Sequence, residues 1–495
     1  MKLRNLLNNV DIKKISGSEN IEIKGITIDS NKVEEGYMFV AIRGKKIDGH
    51  KFASSAVKNG AVALMVEELT TEIDQIISVV EVENTRDTLP YIASNFYNNP
   101  TNYMTVVGIT GTNGKTSISY MLEEIWKQEG KITGVIGTIE NRYKNKVIES
   151  DLTTPDAIEL NKLLFEMKSS GVTHAAMEVS SHALDLKRVD SCNFDVAVFT
   201  NLTQDHLDYH QNIDEYYEAK KRLFTEVLTK STKSDKYSVI NIDDPFGLKL
   251  YNSLKDNVIN YSIRNKKATI YAENIDFKNN GISADIKSGY GNIKINSKLI
   301  GQHNLYNLMA AAGTALSLGS SIESINTALN NITHIPGRLE KISNNLGINV
   351  IVDYAHTPDA LENVIKSLKA VYSGRIITVV GCGGDRDKKK RPLMGNIGHK
   401  YSDLLIVTSD NPRTENPDSI IDDIFEGIET DKNRTIRIVD REKAIEHAIN
   451  SANRNDTILI AGKGHEDYQI IGKEKRDFDD RLISKNYLKL RENTL

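Results

Sequence analysis

A lysine and a threonine at the mouth of a glycine turn are suited to holding phosphate. Residues 106–116 read VVGITGTNGKT: a β-branched apolar run, a turn containing Gly111, Thr112, Asn113 and Gly114, then Lys115-Thr116 opening an amphipathic segment. A strand, a glycine turn and a helix start together aim backbone N–H groups and a helix N-terminus at a polyphosphate. Lys115 then supplies a mobile cation and Thr116 a hydroxyl oxygen for magnesium. The usual phosphate loop places four residues between its first glycine and Gly-Lys-Ser/Thr, whereas here only Thr112 and Asn113 separate Gly111 from Gly114-Lys115. The plainer reading is a strand-to-helix turn with a surface lysine, but such a turn needs neither the lysine nor the threonine. The expectation is a chain that binds and consumes ATP.

Other candidates stand where apolar runs end. Glu178 closes HAAMEV, and Asp205-His206 follows VAVFTNL; a carboxylate and an imidazole there could complete a magnesium site with Thr116. Arg338 in PGRLE and Asp353 after a strand could face the nucleotide. GCGGDRD carries Arg386, SDNPR carries Asp410, Asn411 and Arg413, and GKGHE carries Gly462 and Glu466. An arginine fork pairs bidentately with carboxylate, and neighbouring Asp, Asn and Glu accept from an ammonium, so this set suits a zwitterionic amino acid. Lys220 and Lys221, by spacing alone, read as a solvated helix face.

These residues need elements to carry them. At 495 residues the chain exceeds what one core organises, so several domains are expected. Residues 1–99 show short apolar runs broken by Gly, Asp and Asn, a small mixed domain ending at Asn98-Asn99-Pro100. Residues 100–336 alternate apolar strands with helical stretches, which predicts a parallel sheet covered by helices. One of those helices is expected to be capped at Thr154 with Pro155 in its first turn. Residues 258–300 read as an antiparallel excursion. From 337 to 495 the strand–helix rhythm restarts, with strands expected at 350–353, 376–381, 404–408, 436–439 and 458–461. In such sheets ligands sit beyond the carboxyl ends of the strands.

Composition narrows the function classes. Sixty-three Lys+Arg against 67 Asp+Glu leave a net charge of −4 and no basic stripe for nucleic acid. The two cysteines, Cys192 and Cys382, lack metal-ligand spacing and fit a reducing compartment. The opening MKLRNLLNNVDIKK has no apolar signal core, and no run approaches the ~18 apolar residues of a membrane helix. A cytoplasmic protein without nucleic-acid or membrane partners is expected.

TGTNGKT, TTP (153–155), EVSSHAL (178–184), NLTQDHLDYH (201–210), HNLYN (303–307), PGRLE, DYAHTP (353–358), GCGGDRD, DNPR and GKGHE occur in this order across nearly the whole chain. Together they resemble the Mur ligases of peptidoglycan synthesis. The resemblance implies an α/β protein of three domains: a small mixed N-terminal domain holding a UDP group, a central P-loop-type ATPase domain with a parallel sheet, and a C-terminal Rossmann-like domain bringing an amino acid. It further implies an acid–amino-acid ligase, acting as a monomer on ATP with magnesium. The acceptor would be UDP-N-acetylmuramoyl-L-alanyl-D-glutamate and the incoming amino acid meso-diaminopimelate.

By the same matching, Ser30 and the Gly44 to Gly49 loop would meet UDP, and Thr153, Thr154, Ser180 and Arg188 would hold the muramoyl peptide. Asn304, Arg338 and Asp353 would join residues 111–116 on ATP. Arg386, Asp410, Asn411, Arg413, Gly462 and Glu466 would bind the amino acid. Lys115, Glu178, His206 and Lys220 would be catalytic, Lys220 as N6-carboxylysine, an oxygen donor that a hard metal prefers. Asn31 departs from the family, where arginine is frequent. The carboxylate at the far end of diaminopimelate, absent from lysine, would find its partner in Arg413. Competing readings are a lysine-adding relative, a folylpolyglutamate-type ligase, and an ATP-driven binding switch.

Overall fold

In the computed structural model the described residues are 1–44, 47–69, 77–206, 208–428 and 432–494. The chain divides into two units: Met1–Thr110, Lys131–Ala197 and Ala219–Tyr237 form the first, and Gly111–Gly130, Val198–Glu218 and Ser238–Leu495 the second.

The first unit holds two sets of strands. Near the N-terminus the order is Lys14–Ser16, Ser78–Glu81, Ala61–Val66, Tyr37–Val40, Gly25–Thr27, parallel except for the first pair. Alternate side chains of Tyr37–Val40 and Ala61–Val66 feed two apolar clusters: Met38, Val40, Ala63 and Met65 in one, Phe39, Leu64 and Val66 in the other. That is what a sheet covered on both faces demands. The second set places His174–Glu178 between Thr105–Thr110 and Thr133–Ile136, all parallel, with the hairpin Glu140–Tyr143 and Lys146–Glu149 added at one side. The TVVGIT run is buried along almost its whole length, so its β-branched residues pack both faces.

One cap differs from expectation. Helix Ala157–Ser169 is capped by Asp156, whose carboxylate accepts from the Ile158 and Glu159 N–H groups at 2.9 and 3.1 Å. A carboxylate serves the orphan donors of a first turn better than a hydroxyl, and it leaves the Thr154 side chain for other bonds.

In the second unit the antiparallel excursion expected over 258–300 is shorter: Val258–Ser262 extends the parallel sheet, pairing in parallel with residues 238–241 and with Ile270–Lys278, and only Ile270–Lys278, Gly281–Ser288 and Gly291–Ser297 pair antiparallel. Helix Gln302–Ser317 packs on helix Lys115–Gln128. The last sheet runs Glu340–Ile342, Asn349–Asp353, Thr457–Ala461, Ile376–Val380, Leu404–Val407, Thr435–Arg437, parallel but for its first strand. The five strands expected from sequence are all present. Their order inserts the last strand in sequence between the first two, so Asp353, Ala461 and Val380 end side by side in register.

Candidate active site

The glycine turn is held from below by residues that follow strand Val196–Phe199. Thr112 N–H donates to the Asn201 carbonyl and Asn113 N–H to Asn201 Oδ1, both at 2.9 Å, while Thr200 Oγ1 donates to the Asn113 carbonyl at 2.6 Å. Gly111 (φ +144°) leaves no room for a side chain: a Cβ there would stand 1.8 Å from Thr200 Oγ1. At Gly114 (φ +91°) it would stand 2.4 Å from Asn307 Oδ1, and Asn307 in turn donates to Asn304 at 3.2 Å. Asn304 is thus linked to the turn through Asn307. Lys115 folds back, its ammonium donating to the Gly111 and Thr112 carbonyls at 2.9 and 2.8 Å. A cation resting on loop carbonyls is stationed where a polyphosphate would draw it off.

Thr116 is buried, and its hydroxyl accepts from Arg338 Nη2 at 3.2 Å. The guanidinium also lies 4.4 Å above the centre of the Tyr354 ring. Arg338 owes its pose to Asp353. One Asp353 oxygen accepts from Leu339 N–H at 2.7 Å and the other from Ala355 N–H at 2.8 Å. This pins Leu339 in the left-handed region (φ +44°), which a branched side chain enters only when surrounding bonds dictate it. Burial pushes the Asp353 carboxyl up, while Arg338 and the two N–H groups oppose the shift.

His206 pairs with Asp205, Nε2 to Oδ2 at 3.4 Å. Burial alone would raise Asp205, but the charges of His206, His356 and Lys390 bring it well below the carboxylate range. His356, in the DYAHTP stretch, is a sequence candidate for the nucleotide rather than for Asp205, and Lys390 stands in no motif; nothing in the sequence brings either to Asp205.

In the first unit, Glu178 stands in a ring of hydroxyls. It accepts from Thr138 N–H at 3.0 Å and Thr138 Oγ1 at 2.9 Å, and Thr138 Oγ1 lies 3.1 Å from Thr153 Oγ1. Thr154 Oγ1 donates to the Glu178 carbonyl at 2.8 Å and accepts from Ser180 N–H at 3.1 Å. Arg188 donates to the Thr154 carbonyl at 2.9 Å. Four of the expected peptide-binding residues therefore gather around Glu178. Thr138, the central link, lies in no motif and was missed.

Ser30 lies apart from this ring, in a single helical turn of the N-terminal region capped by Asp29, its carbonyl accepting from Asn59 at 2.8 Å. The Gly44 to Gly49 loop includes Lys45 and Lys46, which lie outside the described residues. The structure corrects the solvated-face reading of Lys220: its side chain is 1% exposed, near the end of helix Ile213–Arg222 and just before a π-helical stretch, Leu223–Val227. Single-turn π-helical stretches recur at functional sites.

At the ends of the C-terminal strands the amino-acid candidates converge. Asp410 Oδ2 would meet a Cβ at Gly462 (φ +116°) at 2.8 Å, so glycine there lets DNPR and GKGHE touch. Asn411 Nδ2 donates to Glu466 Oε2 at 2.9 Å, and Lys463 Nζ donates to Glu466 Oε2 at 3.0 Å and Asn411 Oδ1 at 3.1 Å. Arg413 (φ +51°) is fixed by its N–H to the Ile470 carbonyl at 3.1 Å and by Nη1 to the Gly384 carbonyl at 2.8 Å. Arg386 is exposed beside it, and Gly383 lies against both arginines. Burial and Asp410 push the Glu466 carboxyl up against the pull of Lys463, whereas Lys463 and Arg441 overcome burial to hold Asp410 down. Lys463 was read only as part of its motif.

Among the described residues no group of three or more His, Cys, Asp or Glu side chains is arranged to hold a metal by itself. Of the ligands expected from sequence, the Thr116 hydroxyl and the His206 imidazole belong to the second unit and the Glu178 carboxylate to the first. Hydroxyl and carboxylate oxygens suit magnesium, which keeps waters and takes phosphate oxygens. No helix is long and apolar enough to cross a membrane among the described residues.

A glycine turn opening a helix at Lys115-Thr116 and a cluster of charged side chains at strand ends, both on α/β sheets, are the features of a nucleotide-dependent ligase. Family models agree: the Mur ligase middle domain matches residues 109–315, the Mur ligase glutamate ligase domain 337–464, and the Mur ligase family catalytic domain 22–97. The chain belongs to the Mur ligase family. It is 43% identical to the UDP-N-acetylmuramoyl-L-alanyl-D-glutamate–2,6-diaminopimelate ligase of Geobacter metallireducens, over 97% of each chain. To the ligase of the same name from Bacillus cereus it is 44% identical, over 100% of this chain and 99% of the other. A solved structure of a ligase of that name superposes with a TM-score of 0.71 at 32% identity, covering 99% of both chains.

Proposed function

We propose that this chain is an ATP-dependent, ADP-forming ligase that joins meso-diaminopimelate to UDP-N-acetylmuramoyl-L-alanyl-D-glutamate in the cytoplasm, acting as a monomer in the assembly of peptidoglycan precursor. The γ-phosphoryl group of ATP passes to the D-glutamyl carboxylate, releasing ADP and leaving an acyl phosphate. The amino group of diaminopimelate attacks the acyl carbon, phosphate departs, and an amide forms. Neither step calls for a protein nucleophile, so positioning and charge neutralisation carry the rate. Lys115 leaves the loop carbonyls for the phosphates, Arg338 stands beside Thr116, and the ring around Glu178 receives the peptide. Magnesium would neutralise phosphate charge; its candidate ligands are Thr116 and His206 in the second unit and, in the first, Glu178 and Lys220 once carboxylated. The three functional parts are placed at 1–99, 100–336 and 337–495, a reading supported by separate family models over 22–97, 109–315 and 337–464.

The observation that carries the choice of amino acid is the pair Arg386 and Arg413 flanking Gly383 next to the acceptors Asp410 and Glu466. Two guanidinium groups and two carboxylates match a substrate with two carboxylates and two ammonium groups; lysine would leave one guanidinium unmatched. Phosphate release by the purified chain with the UDP-muramoyl dipeptide is to be compared with meso-diaminopimelate, L-lysine or no amino acid. Release only with diaminopimelate is expected. Equal rates with lysine would overturn the substrate, and release without any amino acid would overturn the ligase.

A further inference from the structure

Lysine is among the residues least often buried completely, because an ammonium out of water needs acceptors to replace its hydration. Lys463 is 0% exposed, and the second unit surrounds its three donor positions. Glu466 Oε2 lies at 3.0 Å, Asn411 Oδ1 at 3.1 Å, and the Tyr468 ring centre at 5.3 Å. Asn411 closes the triangle through Nδ2 to the same Glu466 oxygen at 2.9 Å, and its own Oδ1 also accepts from Ile470 N–H at 3.0 Å. Neither Glu466 nor Asn411 can turn without breaking a bond to the lysine.

We propose that Lys463 is a positioning residue of the amino-acid site: its buried ammonium ties Glu466 to Asn411 and holds the carboxylate in the pose that receives a substrate ammonium. This rests on the reading of the cluster as the diaminopimelate site. Charge balance supports it. Arg441, fully buried and bonded to Asp480 at 2.7 Å, also feels Asp410 and Glu466. With Arg386 and Arg413 reserved for the substrate carboxylates, the three carboxylates Asp410, Glu466 and Asp480 share two cations, Lys463 and Arg441, leaving one negative charge to be matched by an incoming ammonium. Were Lys463 absent, Asp410 and Glu466 would face each other in a buried site, and one would take up a proton, abolishing the acceptor.

The test uses the full-length chain in three forms, Lys463→Met, Glu466→Gln and the double variant, with KM for diaminopimelate and for ATP read by phosphate release. Lys463→Met is expected to raise KM for diaminopimelate at least tenfold and KM for ATP less than twofold. The acid limb of kcat/KM for diaminopimelate should move to higher pH, since the groups facing Glu466 would then be Asp410, Asn411, Tyr354, Tyr468 and Arg441, without the nearest cation. The double variant should be within threefold of Glu466→Gln alone, because the lysine acts through that carboxylate. If Lys463→Met does not fold, this last comparison decides the matter, as the double variant leaves neither member of the pair charged. Equal rises in both KM values, or a double variant tenfold worse than Glu466→Gln, would assign Lys463 a merely structural role and overturn the proposal. A normal KM for diaminopimelate in Glu466→Gln would instead overturn the reading of the site itself.

Discussion

The turn proposed to hold phosphate and the cluster proposed to hold the amino acid belong to the same unit and would solve opposite problems. The turn, residues 111–116, is built from backbone: glycines at φ +144° and +91°, N–H groups and carbonyls fixed by Thr200 and Asn201, and a lysine parked on loop carbonyls. The cluster around Asp410 and Glu466 is built from ionised side chains, several of them buried and each depending on another. Every nucleoside triphosphate presents the same polyphosphate, so backbone shape suffices for it. An amino acid must be told from its relatives, and only side-chain charges at fixed places do that.

The contrast can be broken first at Gly114. Gly114→Ala puts a Cβ 2.4 Å from Asn307 Oδ1 in a backbone conformation alanine resists, and kcat/KM for ATP is expected to fall about a hundredfold or more because the donors are displaced. KM for diaminopimelate should hardly change. Steady-state phosphate release at varied ATP and varied diaminopimelate separates the two, and a parallel loss in both would erase the division of labour drawn here.

Arg413→Ala strikes the other side. Loss of a charge-assisted partner for a carboxylate is expected to raise KM for diaminopimelate by roughly tenfold to a hundredfold, with KM for ATP unchanged. Discrimination against L-lysine should narrow at the same time. An unaltered preference between the two amino acids would remove Arg413 from the specificity argument.

The smallest effect sharpens the boundary between the two regions. His465 is packed 5.0 Å from the Tyr354 ring, and burial, aided by Arg338, Arg481 and other nearby cations, pulls its imidazole down to about 3. Between the ordinary value near 6.5 and that folded value the unfolded chain binds a proton that the native chain does not. Stability therefore falls as pH drops below about 6.5, by up to about 1.4 kcal/mol per pH unit for one such group. His465→Gln should flatten the decline of the urea midpoint between pH 6.5 and 5, leaving the part due to His303 and His174, which are likewise held low at about 4. An unchanged slope would show that His465 is protonated in the native chain.

Much of this was legible in order along the chain. The β-branched runs announced the strands, because a strand buried on both faces must be apolar throughout, and the polar residues after them announced the sites, because parallel sheets expose their carboxyl ends to ligands. Gly111 and Gly114 were readable from the strand–turn–helix pattern around them, whereas Gly462 was reached only through the family resemblance, because the side chain it makes room for, Asp410, is far away in the chain. Thr154 was misplaced as a helix cap because the helix starts two residues later, where the Asp156 carboxylate takes the Ile158 and Glu159 N–H groups with a full charge.

What the sequence determined by itself was thus the local chemistry: the glycine turn before a helix start, which strands exist, and which motifs carry carboxylates and guanidinium groups. What only the tertiary structure decided was who neutralises whom. Lys220 and Lys463 are written like any surface lysine, yet both are buried; Thr138 lies in no motif, yet holds Glu178. Burial and charge pairing arise between segments up to hundreds of residues apart, and their strength depends on the water excluded when the sheets and helices close, which no local spacing encodes.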